Sequence, residues 1–407
     1  MSRRWTWILG GVLGWSVLPS HASGFSFSEQ SAKASAQAGA WVARADDAAA
    51  NWYNPAALVR LKSERGDLQV GLNYVDAGSD LTFTPAAGGP SIDAVSHTTE
   101  PFHLYFAQKL GSRLGWGIGI NTPFGLITHW DQPPLTFSSR RAELRTYLFN
   151  PNVAFAINDA WSFALGLDYL WIDVRDLSRD VNLGPLGIST ANVTGDGDAW
   201  GYDAGFLYRR ERFSIAGTYR SDMRPEVDGR IELSGPAGAL LDSPATAKPH
   251  LPDQFLLGAA YTQTRFDVEL GAYYTQWNEF DELAIDTGTP LTSTTLREDW
   301  SATWAYRLGA AFRLSSADEA RHEIRAGLLL EDSPVPEDTR RPSIPDSDRT
   351  GFSAGYGFQG KALGLDAYVM YLDFDDGVAD GSVAEGVIDG VYTSSVLLLG
   401  ATFKYRF

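Results

Sequence analysis

Residues 265–274 read RFDVELGAYY. Drawn as an extended chain, this stretch puts Phe266, Val268, Leu270, Ala272 and Tyr274 on one side and Asp267, Glu269 and Gly271 on the other. The same period of two returns at 161–171, where Trp161, Phe163, Leu165, Leu167, Tyr169 and Trp171 share a side, and again at Leu365, Ala367, Val369 and Tyr371. A strand with one greasy side has to cover it. In a soluble sandwich the cover is a second sheet; in a membrane barrel it is lipid.

The segments between the strands separate these alternatives. Period-two sequence starts near residue 63, and about fourteen strands can be drawn, an even number as in bacterial single-chain barrels. The first covers 66–77, the third 113–128 and the last 393–407. Connectors such as 111–112, 158–160, 211, 264 and 360–361 are short. Those at 78–98, 129–141, 177–197, 235–250, 279–296, 332–348 and 375–392 are long and polar. Short and long alternate, which predicts a meander with one trimmed and one elaborated rim. The 13 Trp, 13% aromatic content and 41 Gly suit a barrel with aromatic girdles. Beyond the leader no run approaches 18 apolar residues, so no transmembrane helix is predicted. The ending ATFKYRF sets Phe403, Tyr405 and Phe407 against Lys404 and Arg406, as a closing barrel strand would. The predicted fold is therefore an all-β transmembrane barrel over 63–407, plugged by an N-terminal, partly helical hatch.

The chain opens differently. Arg3 and Arg4 precede an apolar run from Trp5 to Leu18, and Ser20-His21-Ala22 is a small-x-small cleavage pattern. Residues 1–22 read as a cleaved secretory signal; the paired Arg also allows twin-arginine export, and the apolar run is too short for a membrane anchor. Cleavage removes two Arg and no acid, taking the net charge from −17 to −19. That charge repels nucleic acid, which is excluded as a partner. With no Cys there is no disulfide framework, Cys metal site or Cys nucleophile. Residues 23–62 are rich in Ala, Ser and Gln and hold too little large apolar surface to fold alone.

The stretch SGFSFSEQSAKASAQAGAWVARADDAAANWYNPAALVRL (23–61) resembles the N-terminal hatch of FadL/TodX-type outer-membrane transporters of long-chain fatty acids and aromatic hydrocarbons. The resemblance continues through NTPFGLITHW, AWGYDAGFLY, YRSDMRPE, LPDQF, YTQWNEF and RAGLLLEDSPVPEDTRRPSIPDSDR, nearly the whole mature chain. It implies a monomeric, fourteen-stranded barrel in the outer membrane of a Gram-negative bacterium, in contact with outer-membrane lipid and lipopolysaccharide. It implies no cofactor, no metal and no enzyme activity. It further implies that a hydrophobic small molecule binds between extracellular loops, moves to an inner pocket near the hatch N-terminus, and leaves sideways through a gap at a kink in strand 3.

Particular residues carry these expectations. Asn54, Pro55 and Ala56 fall where the resemblance has hatch meet wall; Pro55 lacks an N–H and Asn54 bonds locally, so this break resists strand pairing. By the residues alone it is equally a plain turn before strand 1. Pro123 and Gly125 interrupt a strand-like run, with Asn121 and Phe124 beside them; a Pro there spoils the ladder. This is the predicted lateral opening, facing a neighbouring strand with Gly201 and Gly205, or else a bulge without passage. Phe25 matches the family's pocket-filling aromatic. Asp346, Asp348 and Arg349 are expected to anchor the hatch. Leu135 and Phe137 are expected to line the substrate path, and Arg175 and Arg179 to meet a carboxylate head group. A second basic position of the family is missing from WSATWAYR (300–307), which leaves a neutral hydrocarbon open as substrate. The competing function is a general aqueous porin, which has no need of a hatch. GFSAG at 351–355 fits G-x-S-x-G, but no His follows His322 and Ser353 lies in an alternating strand, so esterase chemistry is excluded.

Overall fold

The computed structural model describes residues 24–407 except 64, 237, 290–292, 318–319 and 382–384; the predicted signal segment lies outside the described residues. Among the described residues, 14 antiparallel staves close into a barrel. They are β1 (Asp67–Ala77), β2 (His97–Thr99, then Phe102–Leu110), β3 (Leu114–Asn121, then Gly125–His129), β4 (Arg141–Ala156) and β5 (Trp161–Asn182). Next come β6 (Ile188–Arg210), β7 (Phe213–Arg220, then Glu226–Gly235), β8 (Gly238–Ala247, then Gln254–Thr262), β9 (Phe266–Thr275, then Glu282–Asp286) and β10 (Thr294–Arg297, then Thr303–Ala317). The last four are β11 (Ala320–Glu331), β12 (Arg349–Gly360), β13 (Leu363–Phe374) and β14 (Ser395–Arg406). β1 and β14 close the cylinder in the register Asp67↔Arg406 to Asp76↔Leu397.

The outer surface explains the period of two. Exposed Leu165, Leu167, Trp200, Ile215, Leu270, Phe352 and Phe403 point away from the lumen. Two aromatic belts frame this band. One runs Tyr202–Tyr219–Phe255–Tyr274–Trp304, each ring touching the next. The other, near the short turns, links Tyr208 to Trp161 and Phe213 through Tyr261 to Phe266. Amphipathic rings at both edges of an apolar band mark the membrane interfaces.

Three of the expected long loops are largely strand. β5 runs to Asn182 and β6 starts at Ile188; Glu226–Gly235 pairs with Gly238–Ala247, and Glu282–Asp286 with Thr294–Arg297. These stretches are wet on both sides above the membrane, so no apolar alternation betrays them. Loops 78–96 and 375–394 pair instead with each other, through Thr82–Pro85 and Gly390–Thr393, over a small core of Phe83, Trp130, Leu135 and Tyr392.

The hatch occupies the lumen. Helices Ala32–Ser35 and Ala50–Tyr53 are joined by turns and bends, and the 3-10 turn Pro55–Arg60 follows. Twelve alanines from Ala32 to Ala57 are fully buried, because only small side chains let this backbone lie against the wall. Its polar groups cannot be left dry, and inward polar side chains of the barrel serve them. Ala32 N–H donates to Thr402 Oγ1 at 3.0 Å, Ala38 N–H to Ser353 Oγ at 2.9 Å and Ala43 N–H to Glu269 Oε1 at 2.8 Å. Tyr273 O–H donates to Gly39 O at 2.6 Å and Thr218 O–H to Tyr53 O at 3.0 Å. Buried ion pairs add to this: Arg44 meets Glu269 at 3.0 Å, Lys404 meets Asp47 at 3.7 Å, and Lys33 bonds Asp46.

Candidate functional site

The wall is incomplete between β2 and β3. Ladder pairing climbs from Leu110↔Leu114 to Leu104↔Ile120 and stops there. β3 itself breaks between Asn121 and Gly125, around Pro123. Contact returns only near the long-loop rim, where Val95 N–H donates to His129 O at 2.9 Å and His97 Nε2 meets His129 Nδ1 at 2.8 Å. Between these limits the upper half of β2 pairs only with β1, as in Val75↔Thr99.

The hatch tip sits on this interruption. Phe27 N–H donates to Pro123 O at 2.7 Å, Gly125 N–H donates to Phe25 O at 3.0 Å, and Ser26 bridges Phe124. A cavity of about 240 Å³ opens beside it, lined by Phe25, Phe27, Pro101, Phe102, Phe124 and Leu126 among others. Glu143 and Arg145 supply charge at its lip, bonded to each other at 3.1 Å.

On its inner side Phe25 enters an aromatic cage. Its ring lies edge-to-face against Trp277 at 4.9 Å, Trp300 at 5.8 Å, and Phe124 and Phe280 at 6.0 Å. Two broken staves build the cage. β9 gives way to a 3-10 turn over Trp277–Glu279, and β10 is interrupted between Arg297 and Thr303, with Asp299 at φ 51°. Trp277, Phe280 and Trp300 thereby turn inward. One signal for Trp277 was available in the sequence: it shares the parity of Asp267, Glu269 and Gly271, so a large aromatic falls on the wet face of β9.

Asp346 anchors the tip from a loop. Its Oδ2 accepts from Gly24 N–H at 2.8 Å and from Ser333 O–H at 2.9 Å. Burial pushes its carboxyl up to about 6, against the pull of the Arg349 guanidinium. The folded protein thus holds this proton more tightly than an exposed Asp does. Relative to the unfolded chain, the stability this group contributes is greatest below about pH 4, falls by about 3 kcal/mol as pH rises to 6, and stays level above. Unfolding of the purified protein followed against pH measures this, and Asp346→Asn should flatten the profile.

Asn54 caps the turn Pro55–Arg60 by accepting from Ala56 N–H at 3.1 Å. It also donates to Val42 O at 3.2 Å and to Phe206 O on β6 at 3.1 Å, so the break is stitched to the wall.

Several expected placements need correction. Gly201 and Gly205 lie on β6, whose ladder partners are β5 and β7, so they do not border the β3 interruption. A Cβ on Gly205 would meet Asn54 Oδ1 at 2.8 Å and Pro55 Cδ at 3.2 Å, so its smallness serves the hatch. Leu135 is buried in the loop core, in a short helix with half-open Phe137, and neither lines the cavity. Arg175 bonds Asp173 at 2.9 Å and meets the cavity-lining Glu143 at 3.8 Å, and Arg179 bonds Glu385 at 3.2 Å; neither Arg lines the cavity itself. Arg349 bonds Glu331 at 2.7 Å, with Asp346 and Glu29 of the hatch as further acids in its field, and Asp348 O accepts from Asp375 N–H at 2.7 Å.

With this geometry in hand, comparison with known proteins is direct. Residues 16–407 match the family model described as outer membrane protein transport protein (OMPP1/FadL/TodX). The chain belongs to this family. The OMPP1/FadL/TodX proteins are transport proteins rather than enzymes, and the chain is an outer-membrane β-barrel of a Gram-negative type. Among similar proteins of the family is a long-chain fatty acid transport protein of Escherichia coli O6:H1, 28% identical over 414 residues and covering 89% of each chain. A putative outer membrane protein of Neisseria meningitidis serogroup B is 26% identical, covering 95% of each. The solved FadL homologue of Pseudomonas aeruginosa superposes with a TM-score of 0.81 at 19% identity, over 95% of this chain and 100% of that one. The P. putida toluene transporter TodX gives 0.70 at 14% identity, over 95% and 99%. These two structures speak for the fold.

Proposed function

We propose that this protein is a passive carrier of hydrophobic compounds, long-chain fatty acids or hydrocarbons. It takes them from outside, holds them where Phe25 now sits, and releases them into the outer membrane between β2 and β3. The observation that carries this reading is the coincidence of the wall interruption with the hatch tip: a shift of residues 25–27 vacates the cage and frees the edge of β3 together. Among the described residues, the lumen below is crossed by buried polar groups. Asp168 and Asp203 share Asn150 Nδ2 at 2.7 Å each, and Arg220 meets Asp168 at 3.0 Å while stacking on Trp52 at 3.7 Å. A greasy molecule pushed downward would break buried charge pairs, at a cost of several kcal/mol each. A sideways exit replaces one apolar surrounding with another, and about 0.8 kcal/mol per CH₂ is retained throughout. The relatives named above as fatty acid and toluene transporters support the substrate class.

The test is uptake against conductance. Cells carrying the protein should accumulate a hydrophobic probe faster than cells without it, while the purified protein in planar bilayers should stay closed to ions. A steady, porin-like conductance without probe uptake would overturn the carrier reading in favour of the aqueous channel.

A further inference from the structure

We propose that Trp277 makes the site prefer neutral aromatic compounds with one hydrogen-bond acceptor beside the ring, such as aryl ketones or phenyl ethers. The inference rests on the reading of the Phe25 cage as the substrate site.

The cage is already shaped around a phenyl ring. Phe25 is held edge-to-face by rings from β3, β9, β10 and the turn after β9, at 4.9 to 6.0 Å between centroids. Each of these pairs is edge-to-face, an arrangement that rewards a π-system over an alkyl chain of equal volume. A molecule that displaces Phe25 therefore meets walls matched to a flat six-membered ring.

Two indole N–H groups interrupt these walls, those of Trp277 and Trp300, and Trp300 has the Glu298 carboxyl beside it. Trp277 is fully buried, and its indole N–H has no hydrogen-bond acceptor among the described residues. A buried donor without a partner is costly, and Phe25 has no atom able to relieve it beyond its ring face. A ligand oxygen placed at the ring edge would. The acceptor should be neutral. The nearby guanidinium groups already have partners: Arg341 meets Glu298 at 2.9 Å, Arg349 meets Glu331 at 2.7 Å, and Arg340 donates to Asp346 O at 2.8 Å. Asp346 holds Gly24 N–H at 2.8 Å, next to Phe25, so a carboxylate in the cage would face like charge.

Acetophenone and ethylbenzene separate this idea from its alternatives, since both are neutral and nearly the same shape. Initial uptake is compared in porin-deficient cells, after subtracting uptake by the same cells without the protein. The wild type should favour acetophenone by roughly tenfold, the size of one buried hydrogen bond. Trp277→Phe keeps an aromatic ring and removes the N–H; it should bring the ratio of the two uptake rates close to one, whatever it does to either rate alone. Heat-modifiable migration of the variant confirms that its barrel is folded. Equal uptake of both compounds by the wild type, or a preference that survives Trp277→Phe, overturns the inference while leaving the carrier reading intact. Uptake of neither above background overturns the inference, and the carrier reading falls with it only if a long-chain fatty acid probe is not taken up either.

Discussion

Gly327→Leu should yield a barrel that assembles but cannot seat its hatch. Gly327 faces inward from β11, and a Cβ there would lie 2.3 Å from Gln37 C and 2.4 Å from Ala38 N. Those are backbone atoms and cannot swing aside as a side-chain tip can. The hatch must lift, and with it go the bond from Ala38 N–H to Ser353 Oγ and that from Arg307 to Ala38 O at 3.0 Å. Overpacking of this kind costs on the order of 3 kcal/mol, and more when backbone moves. Because the hatch fills the lumen, its loss opens a path for water and ions. The variant should therefore show steady conductance in planar bilayers and make cells sensitive to hydrophilic antibiotics too large for ordinary porins. Uptake of a hydrophobic probe should fall to background, since Phe25 and the β3 edge lose their common support. Gly271→Ala, where the nearest atom to a new Cβ is Arg307 Cβ at an ordinary 3.4 Å, should conduct no more than the wild type.

How much of this was legible in the sequence follows from which physical signals repeat along a chain. The membrane-spanning part of each stave must show lipid one face and the lumen the other, so RFDVELGAYY announces itself. Above the membrane both faces are wet, and Gly238–Ala247 or Glu282–Asp286 look like loops until their partners are seen. The Pro123 interruption was readable because a proline inside a strand is a local violation. Its counterpart across the lumen was not: nothing near Phe25 states that Trp277, Phe280 and Trp300 will surround it, since that contact depends on two staves breaking at one height. Gly205 was misplaced for the same reason. Its neighbour is Asn54, about 150 residues away, and periodicity encodes ladder partners but not what fills the cylinder. Arg175 carries a local signal, because Asp173 lies two residues away on the same side of the strand, within reach of an ion pair.

Leu126→Glu should block export through the wall while leaving the hatch in place. Leu126 lies on the upper half of β3, opposite Leu144 in the ladder with β4, and lines the cavity beside the interruption. The hatch holds β3 through backbone atoms, Pro123 O and Gly125 N–H, so a new side chain at 126 leaves those bonds intact. A carboxylate at this point has Glu143 close by on the same cavity, and Arg145, the cation there, is already bonded to Glu143. It would keep water in an otherwise greasy passage, and a hydrocarbon crossing it would have to strip that water away. A desolvation cost of about 3 kcal/mol at the narrowest point corresponds to a fall in uptake on the order of 100-fold. Planar-bilayer conductance should stay at the closed, wild-type level. This separates wall from lumen: Gly327→Leu conducts ions and fails to carry, whereas Leu126→Glu fails to carry and remains sealed. If Leu126→Glu carries the probe at the wild-type rate, the compound leaves elsewhere, and the interruption between β2 and β3 is only a bulge covered by the hatch tip.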